Sequence, residues 1–183
     1  GAAPAAAAGW SWQNPLPQGN GLNGVACADT THAVAVGSCG TILATTNGGE
    51  SWTVQSSGTT EALTGVACAD TTHAVAVGLN GTILVSSDGG ATWTEQDSGT
   101  TNHLWGAAFS SSSHGWAVGD DGTILVTING GTTWTPQDSG TTDPLYGVAC
   151  ADTTHAFAVG YDDFTESVTI LATTDGGTAV LFT

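Results

Sequence analysis

Side chains able to do chemistry are few in this sequence, and one kind is missing. Among 183 residues there is no Lys and no Arg, against 16 Asp plus Glu and five His, for a formal charge of −16. Nucleic-acid binding draws its affinity from basic groups neutralising phosphates, so that function is excluded. Docking on an anionic membrane surface is excluded for the same reason, as are a P-loop and a Schiff-base lysine. Four of the histidines, His32, His73, His114 and His155, stand 41 residues apart, a spacing that could place them at matching points of a symmetric fold. If they converged they could ring a metal; the plainer reading is that each opens a strand and bonds to its own loop. Asp29, Asp70 and Asp152 share that period and read as turn residues. The acids outside it, Asp162, Asp163 and Glu166, are hard oxygen ligands on a loop and the one candidate set for Ca²⁺. Three acids on an exposed loop are usually solvated, so no metal and no cofactor is expected. No Ser-His-Asp or GxSxG signature occurs, and the chain is expected not to be an enzyme.

The same period governs everything else. Leu22, Leu63, Leu104 and Leu145 are each 41 residues apart. Within one period, "GVACA", "HAVAVG", "TILATT" and "SWTVQ" are short runs rich in Val, Ile, Ala and Trp. They end respectively at Asp-Thr-Thr, a Gly-rich pair, Asn-Gly-Gly and Ser-Gly-Thr-Thr. Four strands and four turns in a unit of this length predict a propeller blade. The expected fold is an all-β propeller of four blades, 22–62, 63–103, 104–144 and 145–183, preceded by an N-terminal extension, 1–21. The fourth blade takes five extra residues around "DDFTES". Cys27, Cys68 and Cys150 occupy one repeat position, which suggests a small buried side chain in a common niche. Cys39 shares the first repeat with Cys27, and the pairing of those two is left open.

One turn recurs with particular regularity. It reads Thr45-x-Asn47-x-Gly49-x-Ser51-Trp52, then Ser86-x-Asp88-x-Gly90-x-Thr92-Trp93, then Thr127-x-Asn129-x-Gly131-x-Thr133-Trp134. In the fourth copy Asp175 and Gly177 persist but Val180 replaces the Trp. This pattern resembles the Asp-box, or BNR repeat, of sialidases and other propellers. The resemblance implies a hairpin turn between the third and fourth strands of a blade, with a structural role. The wider pattern "GVACAD…HAVAVG…GTILATT…GGESWT" is similar to the photosystem II assembly-factor group of propellers, over residues 22–183. Neither function transfers: a sialidase needs an arginine triad, and the assembly-factor group is understood to use an arginine-rich patch.

What remains is surface. Asn80-Gly81-Thr82 is an N-glycosylation sequon in a turn, and Thr-rich loops would suit O-glycosylation. Trp105, Trp116 and the pair Trp10 and Trp12 are free of the recurring turn and could stack on sugars. Trp12-Gln13 lies ten residues before Leu22, much as Trp52 lies eleven before Leu63, so "WSWQ" reads as a surplus copy of a blade's last strand. Such a strand either closes the ring within one chain or completes a blade of a neighbour; disorder competes for residues 1–9. The expectation is a secreted, non-catalytic structural or assembly module, the subunit of an extracellular filament joined by its N-terminal strand. Its partners would be itself or another surface protein. The alternative is a carbohydrate-binding propeller.

Overall fold

The computed structural model describes residue 9 and residues 19–164, 166–177 and 181–182. The extension carrying Trp10 and Trp12 therefore lies outside the described residues.

Each period folds into one antiparallel sheet whose strands follow chain order. Blade 1 comprises β1 (Leu22–Cys27), β2 (Ala33–Gly37), β3 (Ile42–Thr45) and β4 (Thr53–Gln55). Blade 2 comprises β5 (Leu63–Cys68), β6 (Ala74–Gly78), β7 (Ile83–Ser86) and β8 (Thr94–Gln96). Blade 3 comprises β9 (Leu104–Phe109), β10 (Gly115–Gly119), β11 (Ile124–Thr127) and β12 (Thr135–Gln137). Blade 4 comprises β13 (Leu145–Cys150), β14 (Ala156–Asp162), β15 (Ser167–Thr173) and β16 (Leu181–Phe182). This is the four-bladed propeller architecture that the period predicts. The five extra residues of blade 4 lengthen the β14–β15 hairpin, whose register runs on to Asp162 opposite Ser167.

A blade must bury two faces, because strand side chains alternate between them. Val34 and Val36 of β2 face the next blade, forming one core cluster with Ile42 and with Leu63, Ala76 and Leu84 of blade 2. The arrangement repeats between blades 2 and 3, where Val75, Val77 and Ile83 meet Leu104, Ala117 and Leu125. Between blades 3 and 4 it is Trp116, Val118 and Ile124 that meet Leu145, Ala158 and Leu171. Among the described residues the core is divided into three clusters. Stability comes from three copies of one inter-blade join, in which a Leu of the inner strand is buried under a β-branched or aromatic hollow, worth roughly 1.5–3 kcal/mol per fully buried side chain.

The inner strands pack in series, β1 on β5, β5 on β9 and β9 on β13. Among the described residues no packing of that extent returns from β13 to β1. As described, the four blades form an open arc.

Candidate functional site

The recurring turn is built on a buried hydroxyl. Ser86 Oγ donates to Asp88 Oδ1 (2.9 Å) and accepts from the Gly90 N–H (2.8 Å). Asp88 in turn accepts from the Thr92 N–H (2.8 Å) and hydroxyl (2.6 Å), bonds that hold its carboxyl below the usual carboxylate range, the Thr92 hydroxyl most of all. Thr45 with Asn47 and Gly49, and Thr127 with Asn129 and Gly131, repeat the geometry. So does Thr173 with Asp175 and Gly177, in the blade that has Val180 where the others have Trp. Gly90 and Gly131 have φ of 89°, a left-handed conformation open to glycine. A methyl on Gly131 would also lie 2.9 Å from Val85 of the preceding blade, so the turn is part of the inter-blade join as well as a hairpin closure. Trp134 is buried; Trp52 and Trp93 are half-buried, and Trp93 Nε1 donates to the Gly90 carbonyl (2.9 Å).

The histidines stay apart, each at its own turn. Asp70 Oδ1 accepts from the Thr72 and His73 N–H groups (both 2.7 Å) and from the Thr72 hydroxyl (2.6 Å), while His73 Nδ1 lies 3.0 Å from Oδ2. Asp29 with His32 and Asp152 with His155 are built alike. Donated hydrogen bonds push all three carboxyls well below the ordinary range, led by the Thr72 and Thr154 hydroxyls at Asp70 and Asp152 and by the Thr31 N–H at Asp29. His114 packs on Trp116 with ring centroids 4.8 Å apart, and desolvation lowers its pKa. No group of three or more His, Cys, Asp or Glu able to hold a metal ion occurs among the described residues. Asp162 sits in β14 and accepts from the Phe164 N–H (2.8 Å), and the insertion that carries Asp162, Asp163 and Glu166 lengthens the β14–β15 hairpin.

Other candidates are placed as follows. Asn80 is exposed with φ of 55°, its side-chain amide donating to Glu61 Oε2 (3.0 Å). Trp116 is buried in the join between blades 3 and 4 and offers no face to a sugar. Trp105 is half-buried, its Nε1 bonded to Asp120 Oδ1 (2.6 Å) and its ring 5.9 Å from that of Tyr146. All four cysteines are free thiols. Cys68 and Cys150 are half-buried, and burial pushes the Cys68 thiol up to about 11. Cys27 is exposed, against the expectation of a common buried niche, and no blade precedes it among the described residues.

That exposure belongs to a larger surface which the period did not reveal. Val34, Val75 and Trp116 are at most 3% exposed, but Phe157 at the same repeat position is 52% exposed. Val36, Val77 and Val118 are fully covered, whereas Val159 is 46% exposed. Ile170 and Tyr146 complete an open apolar face on blade 4. At the other end Leu22 is 50% exposed, where Leu63, Leu104 and Leu145 are fully buried, and Val25 beside it is open too. Further out on blade 1, Ala35 and Leu43 are buried. The candidate site is therefore a pair of open apolar surfaces, one on blade 4 and one on blade 1.

An all-β arc of four blades with apolar ends defines a propeller-class protein. No family model and no curated protein matches the sequence, but solved structures share the fold. YCF48 from Cyanidioschyzon merolae superposes with a TM-score of 0.68 at 17% identity, over 86% of this chain and 52% of that one. A structure of YCF48 bound to D1 peptide gives 0.59 at 14%, over 91% and 83%. The GH74 enzyme of Niastella koreensis gives 0.69 at 18%, over 87% and 29%. The chain spans about half the length of the first of these. The similarity to the YCF48 group expected from the sequence is present at the level of fold, which GH74 enzymes share.

Proposed function

We propose that the protein is a non-catalytic, secreted assembly module that binds protein partners through the apolar ends of its arc. The observation that carries this is the pair of open blade faces, Tyr146, Phe157, Val159 and Ile170 at one end and Leu22 and Val25 at the other. Apolar faces of this kind, built from side chains whose repeat equivalents are core, mark interaction sites. Support comes from YCF48, one structure of which holds a D1 peptide. The recurring turns are read as Asp-box turns that stiffen each blade. An N-terminal strand around Trp10 and Trp12 that joins subunits into a filament is the second route to assembly. A sugar-binding role is the alternative, favoured by the fold shared with GH74 enzymes.

Sedimentation velocity with negative-stain microscopy tests this, on the full chain beside one lacking residues 1–21. Oligomers that vanish on truncation assign assembly to the N-terminal strand, and oligomers that survive assign it to the blade faces. A monomer in both forms that binds a glycan array, or releases reducing ends from xyloglucan, would overturn the reading.

A further inference from the structure

Blade 4 departs from the period at one hairpin, and the added length is apolar. In blades 1 and 2 the second and third strands are joined by the three-residue turns Ser38–Gly40 and Leu79–Gly81. In blade 4 residues 161–168 stand in that place, after Gly160, which pairs with Leu145 as Gly37 pairs with Leu22. They continue the ladder, Tyr161 opposite Val168 and Asp162 opposite Ser167. Tyr161 is 38% exposed, Val168 75% and Phe164 98%. The joins between described blades do not extend to these positions. In blade 1 the join covers Val34, Val36 and Ile42, whose counterparts in blade 4 are Phe157, Val159 and Ile170. A blade seated on those three in the same way would still leave Tyr161, Phe164 and Val168 bare.

The hairpin is also held in shape. Ser167 Oγ donates to Asp143 Oδ2 (2.6 Å) and the Thr169 hydroxyl donates to the same oxygen, tying its base to the loop that enters blade 4. Asp162 Oδ1 accepts the Phe164 N–H, fixing the backbone of the barest ring. The same hairpin carries three carboxylates, Asp163 and Glu166 exposed and Asp162 half-buried. We propose that the β14–β15 hairpin docks a protein partner of opposite charge, whose apolar groove takes Phe164, Tyr161 and Val168 and whose rim brings Lys or Arg to Asp162, Asp163 and Glu166. Charge selects this occupant. A second copy would bring the same acids with no Lys or Arg to answer them, and like charges set face to face are destabilising. An anionic lipid surface repels the hairpin for the same reason. An apolar centre with a polar rim is the anatomy of a protein interface, and a hairpin already ordered loses little freedom on binding. This goes beyond the proposed assembly role, since the partner is not another copy and the surface is not a blade face.

A random peptide library displayed on phage is the probe, selected on the full chain with Phe164→Ser as the counter-target. Phe164 is almost wholly exposed, so the variant should keep the wild-type circular dichroism. Enriched peptides should carry Lys or Arg beside apolar residues. In fluorescence anisotropy they should bind Phe164→Ser on the order of tenfold more weakly than the wild type. With Asp162→Asn, Asp163→Asn and Glu166→Gln combined, affinity should also fall and its decline with salt should flatten, while an amide at 162 still accepts the Phe164 N–H. Ile128→Ser, at a bare apolar site on a blade 3 turn, should change little, as should Asp97→Asn with Asp138→Asn. A selection that yields no peptide distinguishing the wild type from Phe164→Ser would overturn the proposal. So would enriched peptides without basic residues, or control substitutions as damaging as those in the hairpin. Phosphatidylcholine vesicles that bind the chain through Phe164 would assign the hairpin to a lipid surface and overturn it too. The assembly role fails separately, because Phe164→Ser leaves Phe157, Val159 and Ile170 in place and sedimentation velocity on that variant still reads oligomers.

Discussion

At Ser86 one hydroxyl, 1% exposed, donates to a carboxylate and accepts from a backbone N–H that has no other route to water. Thr45 and Thr127 donate instead to the side-chain amide oxygens of Asn47 and Asn129, Thr173 donates to the Asp175 carboxylate, and each accepts from the glycine N–H of its turn. Replacing Ser86 by Ala leaves the buried Gly90 N–H unpaired, so we expect a loss of about 1–3 kcal/mol in urea unfolding, with Ser86→Thr close to neutral. The Asp-Thr-Thr-His turns make a second prediction, about pH. Asp70 has a folded pKa depressed below its unfolded value, so its contribution is fully present above about pH 4 and fades as pH falls toward the folded pKa. Asp70→Asn should therefore lower the melting temperature at neutral pH, and the gap from wild type should narrow as the pH is taken toward 2 (about two units below the unfolded value). A gap that holds constant with pH would show that the carboxylate's charge is not what the turn uses. The period made these Asp residues legible as turn formers. It also marked Thr45, Ser86 and Thr127 as members of the recurring turn, but other buried hydroxyls did not stand out, because Thr and Ser fill so many loops that the buried ones look like the solvated ones. Ser57, Ser98 and Ser139 are of this kind, each buried and donating to the carbonyl two residues on (3.1 Å).

Strands and blades were almost wholly legible, since runs such as "HAVAVG" alternate between two faces that must both be covered, and Gly-rich turns punctuate them at fixed intervals. Glycine has two separate duties here, which composition alone does not separate. In the recurring turns it supplies a left-handed φ; in the inner strands it makes room. Gly65→Ala should accordingly be destabilising by roughly 1–3 kcal/mol, because the added methyl is pressed on the backbone of β9. Gly147→Ala, whose methyl meets only its own blade, should cost the single chain less. Thermal melts of the two variants at one concentration measure the contrast, and an equal loss in both would mean that β13 is confined by something other than an adjoining inner strand. Blade 3 shows why side-chain identity can drift without moving the strands: Trp116 takes the place of Val34 and Val75, and the hollow it lines still accepts Leu145. The insertion around Asp162 was not legible as a longer hairpin for a similar reason, since the register that pairs Asp162 with Ser167 is not in the composition.

For the whole molecule, the repeat count was legible and the closure was not. A period of four blades says nothing about the rotation from each blade to the next, and that rotation decides whether Leu22 returns to Phe157 or faces away from it. The charge supplies a prediction at this scale. With −16 on each copy and no Lys or Arg, the proposed self-association would work against repulsion, and no Lys or Arg is present to make an ion pair that salt could weaken. Apolar joins are indifferent to screening, whereas the repulsion is felt over a Debye length that shrinks from about 30 Å at 0.01 M to about 3 Å at 1 M salt. Self-association should therefore strengthen as sodium chloride is raised across that range, by on the order of tenfold in dissociation constant. Sedimentation equilibrium in a salt series reads this directly. Association that weakens with salt would mean that the contact is polar, and would remove the open blade faces from the account of how this protein assembles.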